Sequence, residues 1–545
     1  MKAGRTPLSG KPEGRAIGID GPAAGLDMDP QDPGHVVEDQ SAVFAWLADP
    51  ATHGVSTQRI DTHGAVVVLA GEKAFKAKRA VRFPFMDYST LARRRAACEA
   101  EVAVNAPHAP GVYLGVVPVT RETTGSLKLG GVGEAVEWLV AMRRFDEDAT
   151  LDRIAARGSL DPAVVVALAS AVAASHEAAS VREAGPAIAS LASYISQNRA
   201  AFAEAPDLFP ADRAERLSRA SEATLQRLRP LMEARGAAGR VRRCHGDLHL
   251  RNIVLIDGCP TLFDAIEFDE AIATGDVLYD LAFLLMDLLA RDHAGEANAL
   301  MNRYLWASDA ADLDGLAALP LFLSLRAVIR AKVLAAGLSS LPHEQRPEAR
   351  RDVERYFGLA EDFMREIPPR LVAVGGLSGT GKSTLAAALA PHVGRAPGAI
   401  HLRTDIERKR LYGVPETQRL PASAYTQEAS DAVYAVLWRK AAAVLAAGFA
   451  VVADAVHARP EDREAIARVA REAGVPFTGL WLFAPVELLF DRVEVRTGDA
   501  SDADVAVVRS QVAIEPGQIA WAAVDASGTP QHVLEAALRA SGAAA

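Results

Sequence analysis

Two separate groups of residues have the types and spacing needed to handle phosphate. The first is Gly376-Leu377-Ser378-Gly379-Thr380-Gly381-Lys382-Ser383, followed by Thr384, which fits G-x-x-x-x-G-K-[ST]. Small residues let backbone N–H groups wrap closely around phosphates at a helix N-terminus. Gly376, Ser378, Gly379, Thr380, Gly381, Lys382, Ser383 and Thr384 are therefore the expected nucleotide contacts, with Lys382 a point charge for the β- and γ-phosphates. The Ser383 hydroxyl suits Mg²⁺. Asp454 ends the apolar run AVVADAV, where a second Mg²⁺-associated carboxylate belongs. In RTDIERKR, Asp405 is placed to accept a hydroxyl proton and Arg408 to hold an anionic group. Arg492 and Arg496 stand one helical turn apart and are expected to close over a transferring phosphoryl group.

The second group lies upstream. His245-Gly246-Asp247 and Asn252 reproduce the spacing H-x-D-x-x-x-x-N, and Asp264 follows in a short strand. Asp247 would orient or deprotonate an acceptor hydroxyl, while Asn252 and Asp264 would hold Mg²⁺ against nucleotide phosphates. Such a loop requires a nucleotide-gripping Lys and a Glu partner. Lys76 and Lys78 in KAFKAKRA alternate onto one strand face, with Lys76 favoured. Glu99 and Glu101 offer the partner from the next helix, with Glu101 favoured. The turn Thr62-His63-Gly64-Ala65 could cover phosphates, and the strand around Val136 to Met142 could meet adenine as a hinge.

These residues must be positioned by a scaffold that the hydrophobic periodicity outlines. Residues 1–40 are rich in Gly, Pro and Asp without pattern and read as a disordered leader. A short helix near Val43 to Leu47 precedes a hairpin turning at Ala-Gly-Glu-Lys. A helix over Ser89 to Asn105, strands over Val112 to Val119 and Ala135 to Met142, and Ala- and Leu-rich helices from Leu160 to Leu231 follow. Sequence rich in β thus precedes sequence rich in α, which predicts two lobes. After the charged amphipathic helix Pro347 to Met364, Ile367-Pro368-Pro369-Arg370 marks a boundary. Beyond it, apolar strands alternate with helical patterns, as in a parallel sheet.

At 545 residues the chain exceeds the roughly 250 to 300 that one core supports, so at least two domains are required. With 59 basic and 69 acidic residues the formal net charge is −10, which argues against a dedicated nucleic-acid binder. Three cysteines make no disulfide framework. The longest apolar stretch, Val277 to Ala290, is too short to span a bilayer and carries Asp280 and Asp287. A cytoplasmic protein without a membrane span is expected.

GLSGTGKST, TDIERKR, ADAV and DRVEVR together resemble the small P-loop kinases of the gluconate kinase and polynucleotide kinase group, over Leu371 to about Gln511. HGDLHLRN, FDAIEFD and GDVLYDLAF resemble the aminoglycoside phosphotransferase family, over about Thr57 to Arg330. THGAVVVLAGEKAFKAKRAVRFPFMDYSTL with YLGVVPV is similar to the bacterial subgroup in which the two are fused. The resemblance implies an α+β bilobal protein-kinase-like domain over 41–366, followed by an α/β P-loop NTPase domain with a parallel sheet over 367–545. It further implies that Asp247 is the catalytic base, that Asn252 and Asp264 bind Mg²⁺, and that Asp276 and Asp280 are structural. The expected function is transfer of the γ-phosphoryl of Mg-ATP to a small-molecule hydroxyl at each of two sites. Two other readings stay open: one kinase domain regulated by an ATP-binding switch, and a nucleic-acid 5′-hydroxyl kinase, which the acidic balance disfavours.

Overall fold

The computed structural model describes residues 36–308, 312–495, 498–513 and 517–542, apart from His63, Pro84 and Phe85. The chain forms two compact units, one reaching to Phe145 and including Glu267–Asp269, the other comprising Asp146–Ile266 and everything from Glu270.

The first unit is built on an antiparallel sheet of six strands in the order Thr57–Asp61, Ala65–Ala70, Lys73–Lys78, Glu134–Arg143, Tyr113–Arg121, Leu127–Leu129. Strand alternation sorts its residues onto two faces. Phe75 and Ala77 join Val66, Val68, Leu139 and Ala141 in an apolar layer covered by Phe44 and Leu47 of helix Ser41–Ala48. Lys76 and Lys78 therefore point to the opposite face, where helix Leu91–Asn105 presents Glu101. Of the segment expected to be a disordered leader, residues 1–35 lie outside the described residues, but Gln40 departs from that expectation. It is buried, donates to the Lys78 carbonyl at 3.0 Å and to Glu137 at 2.6 Å, and accepts the Ala80 N–H. An amide that satisfies three buried polar groups cannot be left in solvent without cost.

The second unit begins with helices and ends with a parallel sheet. Helix Val277–Ala290 is buried on nearly every side, its two acids Asp280 and Asp287 included. Asp276 caps it by accepting the Leu278 N–H and also forms a buried pair with Arg235. The sheet has five parallel strands in the order Ile400–Arg403, Val451–Asp454, Leu371–Gly376, Phe477–Phe483, Ala522–Asp525. Val372 and Val374 face one layer with Leu385, Leu480 and Val533. Leu371 and Ala373 face the other, which continues without a break into Phe322, Phe357 and Leu284 of the helical region. The proline-marked segment near Ile367 is thus a change of architecture inside one compact unit. Among the described residues no helix is long and apolar enough to cross a membrane.

One buried charge in these helices lacks compensation. Lys332 in helix Leu319–Gly337 is 8% exposed and forms no ion pair among the described residues, and burial lowers its ammonium from 10.5 to about 8. Between pH 8 and 10.5 the unfolded chain therefore binds the proton that the native chain has lost, so this group makes stability rise with pH across that window. Lys332→Met is expected to stabilise the protein by about 3 kcal/mol at pH 7. In urea melts of both proteins the difference should shrink as pH rises from 8 toward 10.5. A difference independent of pH would contradict this assignment.

Candidate active sites

Strand Leu371–Gly376 runs into the phosphate loop and then helix Lys382–Leu389. At two positions the loop tolerates no side chain. Gly376 has φ +138°, and an added Cβ would lie 2.6 Å from the Leu482 carbonyl oxygen; Gly379 has φ +86°, with the Leu489 carbonyl oxygen at 2.7 Å. Thr380 Oγ1 donates to the Leu377 carbonyl at 2.7 Å, and Lys382 Nζ donates to the same carbonyl at 2.9 Å. The Ser378 N–H is accepted by Gln511 Oε1 at 2.8 Å. Asp454 ends its strand in the buried floor of a cavity of about 920 Å³ that also holds Lys382, Ser383, Asp405, Arg408 and Arg492. Burial alone raises the Asp454 carboxyl, but the hydrogen bond from His401 and the charges of His401, Arg403 and Lys382 prevail and hold it at about 2. The ionised Asp454 carboxylate and the Ser383 hydroxyl, lining one cavity, are hard oxygen donors of the kind that fits Mg²⁺.

Across this cavity Asp405 opens helix Thr404–Leu411. Burial, joined by the Asp454 and Asp499 charges, raises its carboxyl against the pull of Arg403 and Lys382. Arg408, one turn on, is buried. Its Nη1 donates to the Ala424 carbonyl at 2.6 Å, its Nη2 to Ser430 Oγ at 3.4 Å, and its guanidinium lies 4.9 Å from the Tyr425 ring centre. Its Nε is buried without a partner, and no carboxylate lies within ion-pair distance among the described residues. Arg492 donates to the Ala526 carbonyl at 2.9 Å and the Gly379 carbonyl at 3.5 Å, tying the phosphate loop to the segment after the last strand. Arg496 lies outside the described residues. Three acids from the segment that follows grip this side of the cavity. Asp499 pairs with Arg403 at 2.9 Å and Asp504 with Arg419 at 2.9 Å. Asp502 accepts from Lys409 Nζ, the Leu420 N–H and the Tyr425 hydroxyl.

In the upstream loop Asp280 carries the backbone. Its carboxylate accepts the Gly246 N–H at 2.8 Å and the His245 N–H at 3.2 Å, and Arg326 Nη1 donates to the Gly246 carbonyl at 3.2 Å. Gly246 has φ +83°. Asp287 accepts the Leu250 N–H at 3.0 Å. Asp247 is buried, with Oδ2 3.4 Å from His249 Nε2. Burial pushes its carboxyl up, but His249, His245 and Arg330 outweigh that and leave it below the ordinary value. Asn252 Nδ2 donates at 3.0 Å to both the backbone carbonyl and Oδ2 of Asp247. Its amide oxygen is thereby the atom left for a cation, and with the Asp264 carboxylate it too fits Mg²⁺. Asp264 sits at φ +61°, a conformation that costs a non-glycine residue energy and is common where a side chain must be aimed.

Within the first unit Glu101 is fully buried between two lysines. Oε1 is 2.9 Å from Lys76 Nζ and Oε2 is 2.5 Å from Lys78 Nζ, and Lys78 also pairs with Glu267. Glu99 instead makes an exposed pair with Arg95. His63 of the preceding turn lies outside the described residues.

Known proteins resemble this chain in both of its parts. A family model described as "Phosphotransferase enzyme family" matches residues 94–319, and one described as "AAA domain" matches residues 371–515. The uncharacterized proteins Rv2004c of Mycobacterium tuberculosis and Mb2027c of Mycobacterium bovis are each 31% identical over 479 residues, covering 86% of this chain and 91% of the relative. The chain belongs to this phosphotransferase and P-loop fusion family, and it is a kinase. Among solved structures, a sugar kinase from a Janibacter species is 22% identical over 32% of this chain and 96% of its own, with a TM-score of 0.25. A choline/ethanolamine kinase family protein from Mesorhizobium loti is 15% identical over 59% of this chain and 94% of its own, with a TM-score of 0.36.

Sequence motifs located most of the side chains that the fusion kinase gathers at these places, but not the residues that hold them. Lys382, Ser383, Asp405, Arg408, Asp454 and Arg492 share one cavity. Asp247 and Asn252 are joined directly. His401 and Gln511 belong to no contiguous motif, whereas Arg403 stands inside RTDIERKR and Asp499 and Asp502 inside the acidic run after Arg496, visible without their contacts being so. His249 stands inside HGDLHLRN and Lys78 inside KAFKAKRA, so both were visible without their contacts being so. For Glu267, the segment FDAIEFD was the available signal.

Proposed function

We propose that the fusion kinase carries two Mg-ATP sites, one in residues 41–366 and one in 367–545, each transferring the γ-phosphoryl group of ATP to a hydroxyl of a small molecule. The observation that supports this best is one cavity containing a phosphate loop, a strand-end carboxylate held ionised, a second carboxyl raised above its usual range, and a buried arginine without a carboxylate partner.

In the P-loop site Asp405 accepts the proton of the acceptor hydroxyl as the new oxygen–phosphorus bond forms. The bond from the γ-phosphorus to the β–γ bridging oxygen breaks, and its electron pair leaves on ADP. Lys382 and the loop N–H groups stabilise the charge that gathers on the phosphate oxygens. Ser383 and Asp454 here, and Asn252 and Asp264 in the other site, would hold Mg²⁺, which would supply neutralisation of phosphate charge. Asp247 takes the acceptor proton in the upstream site, with Asn252 fixing its carboxylate. In the first unit Lys76, paired with Glu101 at 2.9 Å, is the lysine suited to grip phosphate, and a cytoplasmic location suits the supply of ATP.

Arg408, with no carboxylate at ion-pair distance among the described residues, favours an acceptor that bears an anionic group near its hydroxyl. Once an acceptor is found, Arg408→Ala should raise its KM roughly 10- to 100-fold through loss of a charge-assisted hydrogen bond, with the KM for ATP changed less than about 3-fold. Incubating the protein with γ-labelled Mg-ATP and separate pools of sugars, sugar acids, amino alcohols and nucleosides tests the function itself. Failure of every pool to take up label would sink it.

A further inference from the structure

Helix Ala294–Ala307 belongs to the helical region and lies wholly within the phosphotransferase match, yet three of its side chains serve the parallel sheet. Asn298, Asn302 and Trp306 recur every four residues and so share one helix face. Beside that face runs Ile400–Arg403, the edge strand of the sheet. Asn298 Nδ2 donates to the Ala399 carbonyl at 3.0 Å. Asn302 Nδ2 donates to the same carbonyl at 3.2 Å, and its Oδ1 accepts the His401 N–H at 2.7 Å. Trp306 Nε1 donates to the His401 carbonyl at 3.2 Å. An edge strand leaves such groups open, and here a helix satisfies them in place of another strand. Arg303 adds a two-pronged pair with Glu416, at 2.6 and 2.8 Å, so the contact is fixed on both flanks.

The strand held in this way delivers a side chain into the P-loop site. The His401 ring stands edge-on to the Trp306 indole, with centres 5.9 Å apart, and its Nε2 lies 3.3 Å from Asp454 Oδ2. An ionised carboxylate only accepts, so Nε2 carries the hydrogen. The other neighbour of Oδ2, Arg403 Nε at 3.5 Å, belongs to a guanidinium already engaged by Asp499. His401 is thus the group that orients Asp454 from behind, and Trp306 and Asn302 orient His401.

We propose that His401 is a positioning residue for Asp454, and that helix Ala294–Ala307 is a working part of the P-loop site, setting through His401 the carboxylate that receives Mg²⁺. This rests on the reading of the cavity as a Mg-ATP site. The P-loop region is then no free-standing kinase appended to a second one. Its metal affinity is set by side chains about a hundred residues upstream.

The test uses the full chain and a fluorescent ATP analogue, titrated with Mg²⁺, following the binding component that Lys382→Ala removes. His401→Leu should raise the Mg²⁺ concentration for half-maximal binding roughly 10- to 100-fold, as loss of an outer-shell partner does, and leave binding in EDTA unchanged. His401→Gln keeps an N–H donor of similar reach and should recover most of that loss. Trp306→Phe keeps the ring but removes the Nε1 donor, and should fall between the two. A thermal melt of each variant confirms that it is folded. Unchanged Mg²⁺ dependence in folded His401→Leu overturns the proposal, as does an equal loss in the Leu and Gln variants, which would assign the effect to packing. If Lys382→Ala removes no binding component at all, the Mg-ATP reading of the cavity fails first and takes this inference with it.

Discussion

Asp247→Asn is expected to lower phosphoryl transfer at the upstream site by roughly 10²- to 10⁴-fold, the span that positioned acid–base catalysis supplies. The substitution keeps shape and volume, so the loop should persist. Asp280 and Asp287 hold that loop through the N–H groups of His245, Gly246 and Leu250, none of which depends on the Asp247 side chain. What changes is the atom facing Asn252 Nδ2 and the acceptor: a carboxylate lowered below its usual range becomes an amide with no proton affinity. The KM for ATP should move little, because the loss falls on the transition state. Product analysis by mass spectrometry with each acceptor gives the readout. Retention of full transfer by a folded Asp247→Asn protein would remove Asp247 from the mechanism.

Lys382→Ala is expected to cost the P-loop site about 10²- to 10³-fold in kcat, the size of effect seen when one preorganised charge-stabilising donor is removed. Lys382 follows Gly381, which adopts φ +87° to open the helix, and its Nζ rests on the Leu377 carbonyl within the loop. Removing it leaves the backbone cradle intact and strips out the cation. Run crosswise, the two variants also decide how the domains are related. If each loses only its own product, the fusion kinase holds two enzymes. Should Lys382→Ala alter the rate of the upstream product instead, the P-loop region acts as a switch. The unbroken apolar core between the helical region and one face of the parallel sheet is a physical route for such coupling.

Wherever chemistry depends on residues close in the chain, the sequence was legible. The phosphate motif is nine consecutive residues that leave a strand and enter a helix, and two of its glycines are required by backbone approaches of 2.6 and 2.7 Å that no side chain tolerates. Asp405 and Arg408 share a helix turn, and Asp247 and Asn252 share a loop, so their spacing alone brought them together. The alternation of KAFKAK likewise turned Lys76 and Lys78 to one face. The same alternation did not say that Glu101 would sit between them and engage both, because that depends on how helix Leu91–Asn105 lies on the sheet.

By itself, then, the amino-acid sequence determined two motifs of the kind that handle phosphate, the architecture around each and most of the side chains gathered there, since local spacing and hydrophobic period act over a few residues. Only the tertiary structure decided the charge state and aim of those side chains. Asp454 is ionised and aimed because His401, more than fifty residues earlier, reaches it across a parallel strand pair, and His401 is held by Asn302 and Trp306 from another hundred residues back. Arg408 has no carboxylate within ion-pair distance among the described residues because of how its helix packs, and Asp405 is raised because burial and two neighbouring acids outweigh the cations near it. Electrostatics of this kind depends on distance in space and on exclusion of water, and neither is written in the spacing of residues along a chain.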